Sequence, residues 1–330
     1  MWFEKLVGFK ELNPEQVREH LLFDGKYLTS KVSGAKFQTG ILLTPSLAEL
    51  RSSIDQKQNY SKVMRVSQIV GNIDELHATN SNEGAVFQVA SQFNLLEMSN
   101  PDITPEMGIG RYQFDLTQGP TCAIACGAGT IFRNYLVPIK DKIGQAKDRQ
   151  INCLDDFENL IGSKNQFWRM QNGYLIPSQT GLLDFKFKFS ALSESEKDTI
   201  FSHLRIGIQK DTEVTISSNN QLVTQVYCSA VPISYSNFDM LDWQTLACGI
   251  LDALYESTVI VSINNFLEGK SNKLFLTFVG GGAFGNDIHW ILNAIRKALT
   301  KYQHYPLDVF LVNHRNKNKH AEEYLNDLLS

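Results

Sequence analysis

A buried-strand pattern that runs straight into glycines and then into a helix constrains this chain most: LFLTFVGGGAFGNDIHWILNAI, residues 274–295. LFLTFV predicts a strand through Val279, and Asp287 to Tyr302 predicts an amphipathic helix. Gly280-Gly281-Gly282-Ala283-Phe284-Gly285-Asn286 must therefore make the turn between them. Glycines let a backbone bend and approach a ligand, while the free N–H groups and dipole of the following helix attract anions. The loop reads as a phosphate cradle, with a glycine-rich turn kept for tight packing as the alternative. Gly280, Gly282 and Gly285 also satisfy G-x-G-x-x-G. The next strand, LDVFLVNH, ends in Asn313-His314, however, and has Asp308 at its beginning. A dinucleotide site needs an acid at the far end, so an oxidoreductase is a minor alternative.

The rest of the chain alternates in the same way. VMRVSQIVGNI from Val63 and GAVFQVASQFN from Gly84 read as strands. Gly119 to Tyr135 reads as a closely packed helix, VTQVYCSAVPISY (Val223 to Tyr235) as a strand, and Asp242 to Asn264 as a long apolar helix. Such alternation predicts an α/β fold with a parallel or mixed sheet between helices. Residues 1–64 form an N-terminal extension with short helices opened by Asn13-Pro14 and Thr44-Pro45-Ser46. Residues 138–221 are more polar and read as an insertion, with an alternating DFKFKF run at Asp184 to Phe189 and a helix in SESEKDTIFSHL. Trp168, Arg169, Asn172 and Tyr174 within it suit a surface that selects a macromolecular partner; a packing subdomain is the alternative.

Composition limits the partners. Lys and Arg total 31 against 35 Asp and Glu, a net charge of −4, so no broad basic surface exists and direct nucleic-acid binding is not expected. Apolar runs such as Leu274 to Val279 fall short of the ~20 residues of a membrane span. Neither a membrane segment nor a removable signal is expected. Five scattered cysteines without a C-x-x-C pair suggest reduced thiols and a cytoplasmic location, without zinc or a disulfide framework. No His pair has metal-ligand spacing, and His289 lies near a helix start that disfavours its charged form. Metal and cofactor are therefore not expected.

The other stretch with chemical potential is Gly84 to Asn134. Its strand ends in Ser91, Gln92 and Asn94, continues past Glu97, Asp102, Glu106 and Asp115, and reaches a helix through Thr117-Gln118-Gly119-Pro120-Thr121. Taken singly, each acid reads as solvated and each amide as a loop cap. Their shared position at strand ends, on the same rim as the glycine loop, favours a site. Cys122, just inside a helix start, is a candidate thiolate for an acyl hydrolase, with a small buried residue as the favoured alternative. Phe114, Trp168, Tyr174, Tyr235 and Phe284 are candidates for stacking on a base or ribose, Phe284 foremost because it lies within the loop.

These motifs together resemble the macrodomain superfamily. QIVGNIDEL followed by FQVASQFN is similar to its opening strands, which end in G-D-I-T and N-A-A-N, and GPTCAIACGAG stands where macrodomains have their first glycine-rich loop and helix. VTQVYCSAVPISY looks like V-I-H-x-V-G-P, and VGGGAFGND closely resembles G-C-G-A-F-G-G-D of the poly(ADP-ribose) glycohydrolase branch. The resemblance covers about Val66 to Leu136 and Leu222 to His314. It implies a three-layer α/β/α fold with a mixed sheet, ADP-ribose or an ADP-ribosylated macromolecule as partner, and hydrolysis of an ADP-ribose linkage. A non-catalytic ADP-ribose reader is the main alternative. The implied ligand-binding residues are Asn72, Asn94, Gly119, Pro120, Thr121, Gly280, Gly281, Gly282, Ala283, Phe284, Gly285 and Asn286. Asn72 replaces the usual adenine-binding Asp, with Asp74 two residues on, and the glycohydrolase G-G-G followed by Q-E-E is absent. No Glu pair carries over. Asp115, Glu97 and Gln118 are left as the candidate catalytic residues.

Overall fold

The computed structural model describes residues 1–54, 60, 63–162 and 165–328. Its centre is a sheet of seven strands: β1 (Ile41–Leu43), β2 (Arg65–Val70), β3 (Val86–Ala90), β4 (Gly207–Glu213), β5 (Leu222–Cys228), β6 (Lys273–Leu276) and β7 (Asp308–Asn313). Their order is β1-β4-β5-β3-β6-β7-β2. The run β5-β3-β6-β7-β2 is parallel throughout, and β4 is antiparallel to both of its neighbours. The five parallel strands thus deliver their C-terminal ends, and the loops that follow, to one end of the sheet.

Seven helices matter for the site: α1 (Ile73–Ala78), α2 (Gln118–Ala125), α3 (Gly127–Ile131), α4 (Gly181–Ser190), α5 (Glu194–Phe201), α6 (Met240–Leu267) and α7 (Ile288–Lys301). Neighbouring residues of β3 show that they cover both faces, because successive strand side chains point oppositely. Phe87 stacks on His77 of α1 at 3.8 Å, whereas the Gln88 Nε2 amide donates to Thr258 Oγ1 of α6 at 3.1 Å. The fold is a mixed sheet between helix layers, as expected. α6, at 28 residues, is long and apolar enough to cross a membrane, although no unbroken apolar run reaches that length. In this structure 83% of its apolar stretch is buried inside the domain.

Several elements differ from their sequence readings. The Gly119 to Tyr135 segment breaks at Cys126 into α2 and α3 and then widens into a π-type turn, Phe132–Leu136. The break is fixed by Thr215, whose hydroxyl accepts the Gly127 N–H at 2.9 Å. The strand expected to reach Tyr235 ends at Cys228. DFKFKF alternates in sequence yet lies in helix α4, where Leu182, Phe185 and Phe189, three and four residues apart, are buried while Phe187 is exposed. β4 lies within the expected insertion but pairs with both β1 and β5, so it belongs to the central sheet. Residues 1–64 likewise contribute the edge strand β1. Phe3, Val7, Phe9 and Val17 from this segment share a second core with Leu96, Met98 and Tyr112, beneath the loops of the site.

Candidate functional site

Beyond β3, β5 and β6 the chain opens into a cavity of about 260 Å³ at the C-terminal end of the parallel strands. Four segments that are distant in sequence contribute to its lining: one from between Ala90 and Ser99 together with Asp115 to Pro120, Tyr174 alone, Ala230 with Tyr235, and one from between Thr277 and Phe284.

The glycine loop forms one wall and is anchored from outside. Tyr255 of α6 donates its hydroxyl to Thr277 O at 2.6 Å and accepts the Val279 N–H at 2.9 Å, fixing where the strand ends. Gly280 and Gly285 adopt φ of 81° and 72°, in the left-handed region that side chains disfavour. Asn286 closes the turn by donating from Nδ2 to Val231 O at 2.8 Å. Gly285 N–H bonds back to Gly282 O, whereas the N–H groups of Gly282, Ala283 and Phe284 make no hydrogen bond among the described residues. These amides leave three unused hydrogen-bond donors beside the cavity. Expectation and structure part at the helix: α7 begins at Ile288, and Asp287 caps it by accepting the His289 N–H at 2.7 Å. A carboxylate already occupies that helix start, so the unpaired N–H groups at the cavity are those of the loop and not of the helix N-terminus. Within the loop Gly280, Gly282, Ala283 and Phe284 line the cavity, while Gly281, Gly285 and Asn286 frame it.

An aromatic corner adjoins the loop. Phe284, Tyr235 and Tyr174 meet with ring centroids 5.3–5.7 Å apart, one ring from each of three segments. Tyr174 is buried, its hydroxyl donating to Met98 O at 2.6 Å. Trp168 is fully buried and donates Nε1–H to Glu158 Oε1 at 2.6 Å. It offers no partner surface, contrary to expectation, because it fills the core of the segment that carries it. Asn172 is buried too, donating to Pro101 O. Phe114 lies 77% exposed at the loop beside Asp115.

The opposite wall begins at α2. Gln118 reaches back to β3, accepting the Ala90 N–H at 2.9 Å and donating to Gln88 O at 2.7 Å. Each end of its amide thus makes one bond that holds α2 on the strand, and Gln118 also borders the cavity. Gly119 has no alternative, since a Cβ there would lie 2.0 Å from Ala90 O. Thr121 bonds its own helix and lies outside the cavity. Asn94 does as well: fully buried, it donates to Gln150 Oε1 and accepts the Leu96 N–H, tying a loop together. Asn72, at the end of β2, is exposed, bonds Glu75, and is not part of the cavity wall.

The four acids separate by environment. Asp102 accepts from Gln171 Nε2, and Glu106 accepts the Lys147 N–H. Glu97 borders the cavity, yet both carboxylate oxygens are shielded and lack a hydrogen-bond partner. Arg133 is 3.8 Å away, fully buried, over the Tyr227 ring and donating to Leu95 O and Thr130 Oγ1. Burial pushes the Glu97 carboxyl up to about 8, against the opposing pull of Arg133 and Tyr112. Asp115 is half-buried in the cavity wall. Its Oδ1 accepts from the Thr117 N–H and hydroxyl at 3.0 and 2.6 Å, and its Oδ2 makes no hydrogen bond among the described residues. Asp115 is therefore the carboxylate of this group with a free oxygen at the cavity. Cys122 is fully buried, and burial raises its thiol well above the ordinary range, which removes a thiolate nucleophile.

Sequence reasoning passes over Arg133 and Tyr255. A signal for the first exists: an arginine inside the apolar run GTIFRNY needs a buried partner.

No protein-family model matches the chain, and no curated relative does. Among solved structures it is similar to poly(ADP-ribose) glycohydrolase from Deinococcus radiodurans in complex with ADP-ribose, with 11% identity, TM-score 0.46, and 88% of this chain and 95% of that one covered. The glycohydrolase from Thermomonospora curvata bound to the inhibitor ADP-HPD is similar at 10% identity and TM-score 0.44, covering 94% of this chain and 95% of that one.

Proposed function

We propose that this chain hydrolyses an ADP-ribose linkage on a modified protein or other conjugate. One observation carries the reading: a single cavity at the strand ends joins unpaired loop amides, an aromatic corner and a carboxylate with a free oxygen. The diphosphate would sit on the N–H groups of Gly282 to Phe284, with the distal ribose against Phe284 and Tyr235. The cavity, at about 260 Å³, is just below the ~300 Å³ lower end of ordinary ligand pockets. The adenine would therefore extend past it along the strand ends, towards Asn72. Asp115 Oδ2 accepts a proton from the water whose oxygen bonds to the anomeric carbon. The bond from that carbon to the leaving group breaks, the departing atom takes its proton from solvent water, and Asp115 returns the proton it accepted to solvent.

A second reading, a binder that does not cleave, is favoured by the enclosure of Glu97. Glycoside hydrolysis commonly uses two carboxyl groups, and only Asp115 of the pair presents an oxygen here. The two readings share their binding site, and calorimetry with ADP-ribose tests it directly. Gly282 lines the cavity, and a Cβ added there meets nothing within 4 Å. Gly282→Val should fold normally, put its branched side chain where the diphosphate lies, and lose at least about tenfold in affinity. Unchanged ADP-ribose affinity in the folded variant would remove the loop from the site. Release of ADP-ribose from a modified acceptor protein by the unaltered chain then separates hydrolase from binder.

A further inference from the structure

Asp115 stands on a loop, and a loop carboxylate needs something to aim it. Thr117 occupies the position just before α2, where a threonine oxygen ordinarily accepts a backbone N–H from the first helical turn. It makes no such bond. Pro120, the third residue of α2, has no N–H to offer it. The hydroxyl turns the other way and donates to Asp115 Oδ1 at 2.6 Å, the length of a hydrogen bond to a charged carboxylate. The Thr117 N–H donates to the same oxygen at 3.0 Å. With Oδ1 held twice, rotation of the carboxylate is blocked and Oδ2 is left to the cavity. The mount itself is firm, because Gln118 clasps Gln88 O and the Ala90 N–H of β3.

From this geometry we infer that Thr117 is the positioning residue of the site: its hydroxyl, which makes no helix-capping bond, orients Asp115 towards the attacking water. The inference rests on the hydrolase reading and adds a residue to it. A simple turn-stabilising role would alter folding or ligand affinity, whereas a positioning role alters turnover alone.

The test uses the full chain and an acceptor protein carrying ADP-ribose. Thr117→Val keeps the shape and the backbone N–H but loses the hydroxyl. Its kcat should fall by about tenfold or more while KM and ADP-ribose affinity stay within roughly twofold, and Thr117→Ser should recover most of the loss. Should the valine variant not fold, Thr117→Ala removes the same hydroxyl. An active unaltered chain with an equally active Thr117→Val or Thr117→Ala overturns the positioning role and leaves the hydrolase reading standing. The same holds if serine fails to restore kcat, or if KM rises in step with the fall. An unaltered chain that binds ADP-ribose and releases none overturns both.

Discussion

Asp115→Asn should keep ADP-ribose affinity and lose at least about a hundredfold in its release from a modified protein, in the range that general-base removal produces. The substitution is nearly isosteric. Its amide oxygen can still accept from the Thr117 N–H and hydroxyl, so the loop stays in place and only the basic oxygen at the cavity is lost. Glu97→Gln is the informative companion. Its carboxyl is shielded from the cavity beneath Gly119, whose Cβ position lies 3.2 Å from Glu97 Cγ, so its loss should leave turnover within roughly tenfold. Single-turnover release with both variants decides between the acids. Retained rates in Asp115→Asn would show that the accessible carboxylate is not the one that acts, and a large loss in Glu97→Gln alone would move the chemistry to the buried acid.

How far the site is legible in sequence depends on how local its causes are. The strand, glycine loop and helix around Gly280 announce themselves because each obeys a short-range rule, and the sheet's parallel centre follows from the alternation of such units. β4 is not legible. Its buried face includes Gln209, whose Nε2 donates to Thr39 O, 170 residues away in the chain, so a polar residue stands where a strand pattern calls for an apolar one. α4 misleads for a related reason: Phe187 is exposed between two buried phenylalanines, which gives alternation without a sheet. The acids behave similarly. Asp102, Glu106 and Asp115 look alike in sequence, and only the folded chain shows that the first two bond Gln171 and Lys147 away from the cavity while the third lines it. Asn94 was eligible by chemistry, but its fate is decided by Gln150 in a segment folded over it.

Glu97 also makes a prediction about stability. In the folded chain its carboxyl titrates near 8, raised by burial, while in the unfolded chain it returns to about 4.5. Between these values the folded state holds a proton that unfolding releases, so raising the pH favours unfolding. The stabilisation is complete below pH 4.5 and is lost as pH rises through 8. Glutamine has the same shape as the protonated acid and does not titrate. The Glu97→Gln chain should therefore gain stability relative to the unaltered one by about 3 kcal/mol between pH 5 and pH 8. His77 acts in the opposite sense. Buried against Phe87, with its titration lowered to about 4, it supports the fold above pH 6.5 and loses that support as acid approaches 4. Both chains carry His77, so its contribution cancels in the difference. Urea unfolding of the two at pH 5 and pH 8 measures the effect. A difference that stays constant across that interval would mean that Glu97 is ionised in the folded protein and that Arg133, 3.8 Å away, outweighs the cost of burial.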